Sequence, residues 1–225
     1  MTATARGFAF WDPEWYAIGL LSQLKPCPPQ IRFNDGAVDC SGRFWAGTMN
    51  TTGDPAAADG SILRLDPDGS IRTMDTGFGC SNGLGWSPDN RTMYFTDTFR
   101  GVIYAYDFEP AKGTLGHRRP FVQIPAQEGY PDGLTVDSDG FVWSARWGGW
   151  KVVRYDPEGK AEREIRLPVS NVSSCAFGGT DLDELYITTA FESLPPEERT
   201  RQPLAGDLFR ARPGVRGLPR PRFLG

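Results

Sequence analysis

The sequence contains a single histidine and few cysteines, and both shortages limit the chemistry that it can carry. His117 is the only histidine among 225 residues, which excludes a metal site built from several histidines. The four cysteines form no Cys-x-x-Cys pair, which argues against a structural zinc site. They are Cys27, Cys40, Cys80 and Cys175. We therefore expect free thiols, most of them buried.

Long apolar runs and an excess of positive charge are also missing. No apolar run is long enough to span a bilayer as a helix, and the first residues lack the apolar segment of a secretory signal. The formal net charge is -4, whereas nucleic-acid binding usually selects a basic face. We therefore expect a cytoplasmic protein that binds neither membranes nor nucleic acid. The sequence leaves its oligomeric state open.

Glycine, proline and short alternating segments are abundant. The chain has 27 glycines and 19 prolines, as expected for many tight turns. Segments 62–66, 102–107 and 151–156 alternate between apolar and polar residues and are each followed by a turn signal, which is typical of half-buried strands. No segment has a convincing helical period, and 199–204 is predicted to be a turn or a short helical loop. These patterns predict an all-β fold.

Four similar units repeat along the chain, and each begins with a short polar residue and a small residue before an apolar strand. The pairs are Asp35-Gly36, Asn82-Gly83, Asp132-Gly133 and Ser174-Cys175. A period of about 45 residues with several strands per unit is typical of β-propeller blades. One such pair alone would be an ordinary turn former. Because equivalent positions of successive blades converge on the axis, the repeat predicts an oxygen-ligand cage for a cation.

Seven short motifs occur in the order in which one known family has them. They are residues 32–36, 47–49, 81–84, 131–133, 167–169, 175–179 and 206–209. On these motifs the chain resembles the regucalcin/gluconolactonase-like (senescence marker protein) family of metal-dependent lactonases, which are six-bladed propellers. The resemblance implies a metal-dependent hydrolase of sugar lactones of the gluconolactonase type. It also implies one divalent cation at the axis, Ca²⁺, Zn²⁺, Mn²⁺ or Mg²⁺.

The resemblance implies roles for four residues. Asn82 and Asp132 correspond to metal ligands of the family, and Asp132 also corresponds to its proposed general base. Arg32 and Asn34 correspond to residues that contact the sugar lactone. A cation held here would polarise the lactone carbonyl and lower the pKa of bound water, whose proton Asp132 would accept.

Two elements of the family pattern have no counterpart in the sequence. The family begins with about one and a half blades that precede the first motif found here, and they carry a glutamate ligand in a Glu-Gly-Pro-like motif. We therefore expect residues 1–225 to form a single, incomplete propeller domain with weaker cation binding and an exposed strand edge. An acidic substrate contact shortly after 47–49 is also missing, since Asn50, Thr51 and Thr52 occupy that stretch.

Three alternatives to a metal-dependent lactonase come from the same sequence. Segment 79–83 fits the Gly-x-Ser-x-Gly pattern of serine hydrolases, but a predicted strand follows it where that motif needs a helix, and His117 is the only candidate base. A non-catalytic binding or scaffold propeller and a truncated gene product both remain open.

Four aromatic residues lie in predicted loops near the ends of the motifs. They are Phe78, Tyr130, Trp147 and Trp150. The sequence leaves open whether these side chains form a pocket wall or pack between blades.

Overall fold

Five antiparallel β-sheets follow one another along the chain and form the blades of a propeller. They are seen in a computed structural model, which describes residues 2–4, 7–12, 14, 17–23, 28–52, 54 and 56–225. Within these residues the middle three sheets have four strands each, and the first and fifth have three. In the last four sheets, the first strand of each sheet contacts the first strand of the sheet that follows it in the chain, up to the fifth sheet. These four strands therefore surround a common axis. The prediction of an all-β propeller is confirmed.

The strands are numbered in chain order. The first sheet contains β1 (Thr2–Ala3), β2 (Gly7–Asp12) and β3 (Ala17–Gln23). The second contains β4 (Ile31–Val38), β5 (Phe44–Asn50), β6 (Gly60–Leu65) and β7 (Ile71–Phe78). The third contains β8 (Ser81–Trp86), β9 (Thr92–Asp97), β10 (Val102–Glu109) and β11 (Thr114–Gln123). In the last four sheets the first strand, called the inner strand below, lies next to the axis.

The fourth and fifth sheets complete the order. The fourth contains β12 (Tyr130–Val136), β13 (Val142–Trp147), β14 (Lys151–Tyr155) and β15 (Ala161–Arg166). The fifth contains β16 (Val172–Gly178), β17 (Glu184–Thr189) and β18 (Leu208–Ala211). A 3₁₀ turn (Ala126–Glu128) precedes β12, and one short helix, α1 (Pro196–Arg201), lies between β17 and β18. No helix in the described ranges is long and apolar enough to cross a membrane.

The first sheet has a third strand because residues 2–3 pair with β2. One detail differs from the sequence-based expectation. The predicted helical loop at 199–204 begins earlier, since Pro196 occupies the first helical position, where its fixed φ angle and missing N–H are tolerated.

The hydrophobic core is divided into four clusters, each of which fills the space between two neighbouring sheets. Trp45 of the second sheet packs edge to face on Trp86 of the third, with ring centroids 6.2 Å apart. Trp143 of the fourth sheet packs in the same way on Phe177 of the fifth, at 6.0 Å. Aromatic side chains therefore fix the spacing of the blades.

In each of two blades, a buried aspartate that follows the inner strand connects parts of the same sheet. The carboxylate of Asp137 is fully buried and accepts hydrogen bonds from Trp143 Nε1 at 2.9 Å and from Arg154 Nε at 2.8 Å. In the second blade, Asp39 occupies the equivalent place and accepts a bond from Trp45 Nε1 at 2.8 Å. These bonds connect the hairpin after the inner strand to the centre of the sheet.

The segment that follows β18 runs across the hairpins at the far ends of the inner strands. Its Arg216 carbonyl oxygen accepts a hydrogen bond from the Ser138 N–H of the fourth blade at 2.8 Å. Further along, the Leu224 N–H donates to the Gly42 carbonyl oxygen of the second blade at 3.1 Å. The segment 216–224 thus connects blades that are not neighbours in the chain.

We expect Asp137→Ala to lower the free energy of unfolding by about 3 kcal/mol, because removal of one partner leaves the buried Arg154 guanidinium undercompensated. Asp139→Ala is the matched control, since the Asp139 carboxylate lies 3.2 Å from the same guanidinium but is 57% exposed. Its loss should cost less than about 1 kcal/mol. Urea unfolding followed by tryptophan fluorescence measures both values, and equal losses would contradict the assignment.

Candidate active site

The four polar-small pairs lie inside the inner strands, where each strand carries a β-bulge. The pairing register shifts between Phe33 and Asp35, Asn82 and Leu84, Pro131 and Leu134, and Val172 and Ser174. The expectation that the pairs come just before a strand is therefore wrong. A bulge bends the strand and changes the direction of the adjacent side chains, which is why these residues belong to the strand and still leave its regular pattern.

Glycine is required in two of the pairs because the inner strands touch one another. A Cβ atom on Gly83 would lie 2.6 Å from the Leu134 backbone nitrogen of the next blade. A Cβ atom on Gly133 would collide with the side chain of Ser174 in the blade after that. The residues that precede these glycines, Asn82 and Asp132, are consequently held close to each other across the blade interface.

Asp132 is a buried acid whose pKa lies well above that of a free carboxyl group. Burial first, and the charge of Asp35 second, raise the pKa of its carboxyl to about 7, while a hydrogen bond from the Asn82 side chain acts in the opposite direction. Burial also raises the pKa of Asp35. Two carboxyl groups and one carboxamide therefore share a poorly solvated region of the axis.

The Asn82 side chain is held at both ends. Its Nδ2 donates to Thr98 Oγ1 at 3.2 Å, and its Oδ1 accepts from the Gly83 N–H at 3.2 Å. Asn82 is buried. The amide oxygen keeps a second lone pair for another partner.

Arg32 and Asn34, the predicted sugar contacts, lie together at the beginning of β4. Arg32 Nη1 donates to Asn34 Oδ1 at 2.8 Å, and Asn34 Nδ2 donates to the Ser81 carbonyl oxygen at 2.9 Å. Nearby, burial raises the pKa of the Cys80 thiol to about 11, and the charges of Asp132 and Arg32 both act on it. The structure thus brings all four predicted site residues to the junction of the second, third and fourth blades.

The donor set fits a hard divalent cation. Among the described residues, no group of three or more His, Cys, Asp or Glu side chains could hold a metal ion. The oxygens of Asp35, Asn82 and Asp132 are carboxylate and carboxamide oxygens, which Ca²⁺, Mg²⁺ and Mn²⁺ prefer. A cation between Asp35 and Asp132 would favour the ionised form of both carboxyl groups.

A cavity of about 640 Å³ continues along the axis below this group. Its lining comes from the inner strands and from residues 218–221 of the crossing segment. Asp35 and Ser174 belong to the lining, whereas Asn82 and Asp132 lie outside it. Asp35, Asn82 and Asp132 nevertheless act on one another through charge and hydrogen bonding, so the four-residue cation cage stays a prediction.

The aromatic residues divide between the two open interpretations. Phe78 is fully buried in the cluster between the second and third sheets, with its ring 4.8 Å from that of Phe95. Tyr130 and Trp150 are exposed, and Tyr130 begins the inner strand that carries Asp132. Phe78 thus packs between blades, Tyr130 and Trp150 are exposed to solvent, and Trp147 is half-buried at the end of β13.

The Gly-x-Ser-x-Gly segment does not form a nucleophile elbow. Ser81 begins β8, so a strand follows it, and its buried hydroxyl has no hydrogen-bond partner among the described residues. His117 is exposed on the outer strand β11 of the same sheet.

Three of the four cysteines lie in the described part of the chain, and all three are free thiols. Cys80 and Cys175 are buried and Cys40 is exposed, while Cys27 lies outside the described residues.

These features define a β-propeller in which oxygen donors from the inner strands of three blades meet beside an arginine–asparagine pair. The chain belongs to the SMP-30/Gluconolactonase/LRE-like family, whose model matches residues 1–191.

Relatives with the same fold span most of the chain. It is 38% identical to regucalcin of Danio rerio over 214 residues, which cover 94% of this chain and 72% of that protein. It is 41% identical to the pentonolactonase XacC of Haloferax volcanii over 192 residues, 84% of this chain and 65% of that protein. The crystal structure of a calcium-binding regucalcin from Agrobacterium tumefaciens superposes with a TM-score of 0.91 at 29% identity, covering 98% of this chain and 74% of that one.

The raised pKa of Asp132 predicts a pH dependence of stability in the presence of a chelator. The folded protein holds this proton more tightly than the unfolded chain, whose pKa is near 3.8, so its stabilising contribution is complete below that value. The contribution is lost as the pH rises towards 7, and it amounts to at most roughly 4 kcal/mol. Asp132→Asn, which cannot ionise, should therefore become more stable than the wild type between pH 4 and 7. Urea denaturation measures the free energy of unfolding of both proteins at each pH. A difference between them that stays constant across this range would contradict the assignment.

Proposed function

We propose that this chain hydrolyses sugar lactones with the help of one divalent cation bound beside Asp132. The observation that carries the proposal is the enclosed Asp132 carboxyl, with its pKa near 7, next to the Asn82 amide and the Arg32–Asn34 pair. Family membership supports it, since one relative is a pentonolactonase and the family description includes gluconolactonase. The calcium-binding structural relative supports the cation.

Asn82 and Asp132 would hold the cation through their side-chain oxygens, with the Asp35 carboxylate close by. When bound, the cation supplies Lewis-acid polarisation of the lactone carbonyl and a lowered pKa for a nearby water molecule. Asp132 accepts the proton of the attacking water at its carboxylate and returns it to the leaving alkoxide oxygen as the ring opens. Without a cation the pKa of this carboxyl is about 7, and a bound cation would lower it and favour the carboxylate form that accepts the proton.

Arg32 and Asn34 orient the substrate. Arg32 commits one nitrogen, Nη1, to Asn34 Oδ1 and to the Phe33 carbonyl oxygen, so its other nitrogens keep N–H donors for the hydroxyl or carbonyl oxygens of a sugar lactone. The exposed rings of Tyr130 and Trp150 would border the same opening and exclude water on one side.

We further propose that residues 1–225 form a single propeller domain of the six-bladed type, with about one and a half blades missing. We also propose that the protein is cytoplasmic and has no nucleic-acid or membrane partner. A longer chain that supplies the further blades should bind the cation more tightly. The non-catalytic scaffold stays the alternative function, and the rate measurement on the Asp132 variants separates it from an enzyme.

Two substitutions at Asp132 separate its roles as base and as ligand. Asp132→Asn keeps an oxygen donor but cannot accept a proton, so we expect lactone hydrolysis to fall by about 10²–10⁴-fold while cation binding persists in part. Asp132→Ala should lose both. A pH-indicator assay with gluconolactone, with Asp139→Ala as control, measures the rates. Wild-type rates in both Asp132 variants, with metal present, would contradict the assignment of Asp132, whereas a wild-type rate no higher than spontaneous hydrolysis would favour the non-catalytic propeller.

Asn82→Ala should weaken cation binding more than it weakens the fold. The change removes an oxygen donor, and an alanine methyl occupies less space than the amide in the same pocket. Calorimetric titration with Ca²⁺, Mn²⁺ and Zn²⁺, beside a thermal melt in chelator, gives both quantities. Unchanged affinities for all three ions would exclude Asn82 as a ligand.

A further inference from the structure

Arg220 is a charged residue of the crossing segment 216–224 that the proposed mechanism does not use. It lines the axial cavity of about 640 Å³, and Asp35 is the other charged residue in the described part of that lining. Arg220 is exposed, and its side chain forms no salt bridge or hydrogen bond with any residue that the structure describes. The N–H donors of its guanidinium are therefore available to a ligand.

Two prolines restrict the backbone on either side of this guanidinium. Arg220 stands between Pro219 and Pro221, and Leu218 precedes the first of them. Proline has a fixed φ angle, and a residue before proline is largely restricted to extended conformations. The stretch 218–221 therefore has few backbone conformations, so a ligand that binds here orders little of the chain.

Hydrogen bonds anchor the crossing segment before and after these prolines. The Gly217 N–H donates to the Leu182 carbonyl oxygen at 2.8 Å, and the Leu224 N–H donates to the Gly42 carbonyl oxygen at 3.1 Å. A Cβ atom on Gly217 would lie 2.2 Å from the Cβ atom of Phe177, so the segment packs directly on the fifth blade. The backbone that carries the guanidinium is thus fixed relative to the cavity.

The charge of Arg220 acts on residues at the axis. Burial raises the pKa of the Asp35 carboxyl, and the charge of Arg220 opposes this rise. Burial also raises the pKa of the Cys175 thiol, and there too the charge of Arg220 acts in the opposite direction. Asp35 belongs to β4 and Cys175 to β16, and both line the cavity. The guanidinium therefore lies on the cavity side of the crossing segment.

The wall between the two charged residues is largely apolar, and all four inner strands contribute to it. Its aliphatic and aromatic side chains include Val38, Leu84, Leu134, Val136 and Phe177. A wall of this kind with few polar groups is typical of small-molecule sites, whose volumes are about 300–1,000 Å³. The cavity thus combines an apolar surface with one unpaired cationic group.

We propose that the axial cavity binds a small amphipathic monocarboxylate, whose carboxylate pairs with Arg220 and whose aliphatic chain lies against the inner strands. Arginine presents paired N–H donors that match the two oxygens of a carboxylate. Inorganic phosphate fits less well, because it has no apolar part and its second negative charge would be repelled by Asp35. This site is separate from the proposed lactone chemistry and needs no cation.

The first test is calorimetric titration of the full chain with octanoate in the presence of chelator. Arg220→Gln should weaken octanoate binding by about fivefold, as expected for the loss of a partly exposed ion pair. Arg220→Glu should weaken it further, because the introduced negative charge repels the carboxylate. Arg222→Gln is the matched control, since it removes the same charge from an exposed position outside the cavity lining, and its affinity should stay within about twofold of the wild type.

A second pair of variants locates the aliphatic chain. Ala176 of β16 is half-buried and lines the cavity, so Ala176→Leu should fill part of the space and weaken octanoate binding. Leu20 is 55% exposed on the first sheet, away from the cavity, and Leu20→Ser should leave the binding unchanged. A thermal melt of each variant confirms that it is folded, and the exposed position of Arg220 keeps its variants informative if Ala176→Leu is not.

Any of four results would overturn the inference. They are no binding of octanoate by the wild type at roughly 10 mM, where a weak ligand of this size is still detected; equal affinities of the wild type and Arg220→Gln; an equal loss in Arg222→Gln or Leu20→Ser; and binding of 1-octanol or inorganic phosphate as tight as that of octanoate. Because the titration requires no catalysis, a chain that binds octanoate as expected but hydrolyses no lactone would refute the proposed function and leave this inference standing.

Discussion

The inner strands of neighbouring blades approach so closely that no side chain fits between them at Gly83 and Gly133. This crowding determines the rest of the site. A strand that must touch its neighbour through bare backbone needs glycine there, and the bulge beside it turns the preceding polar residue out of the regular pattern. Asn82 and Asp132 are polar residues in a buried place because the geometry of the axis puts them there.

Poor solvation of the axis then sets the chemistry. A carboxyl group that is taken out of water and faces a second carboxyl group holds its proton into the neutral range, as Asp132 does. Such a group is a weak structural contact, since it lacks a cationic side chain to pair with. The same isolation makes it responsive to a cation or to a proton from a substrate. The site thus forgoes stability to keep an acid that titrates near neutral pH.

The repeat that contains Asp35, Asn82 and Asp132 was sufficient to predict a propeller, because successive blades produce a regular period in the sequence. The bulges were not predictable, since a register shift depends on how two strands pair and on what presses against them. Thr98 was missed for a similar reason. Its contact with Asn82 joins residues 16 positions apart through a hairpin, which no local sequence pattern indicates. The family resemblance located Arg32 and Asn34, whereas only the structure revealed that they bond to each other.

The crossing segment at 216–224 has a consequence for the order of folding. Nearly every strand pairs with one adjacent to it in sequence, so each sheet can form from local hairpins as the chain emerges. The bond between Gly42 and Leu224 is of the opposite kind, because it closes a loop that contains most of the chain. The entropic cost of closing this loop is offset only when the intervening sheets have already formed. We therefore expect the contacts of the crossing segment 216–224 to form after the blades that it connects.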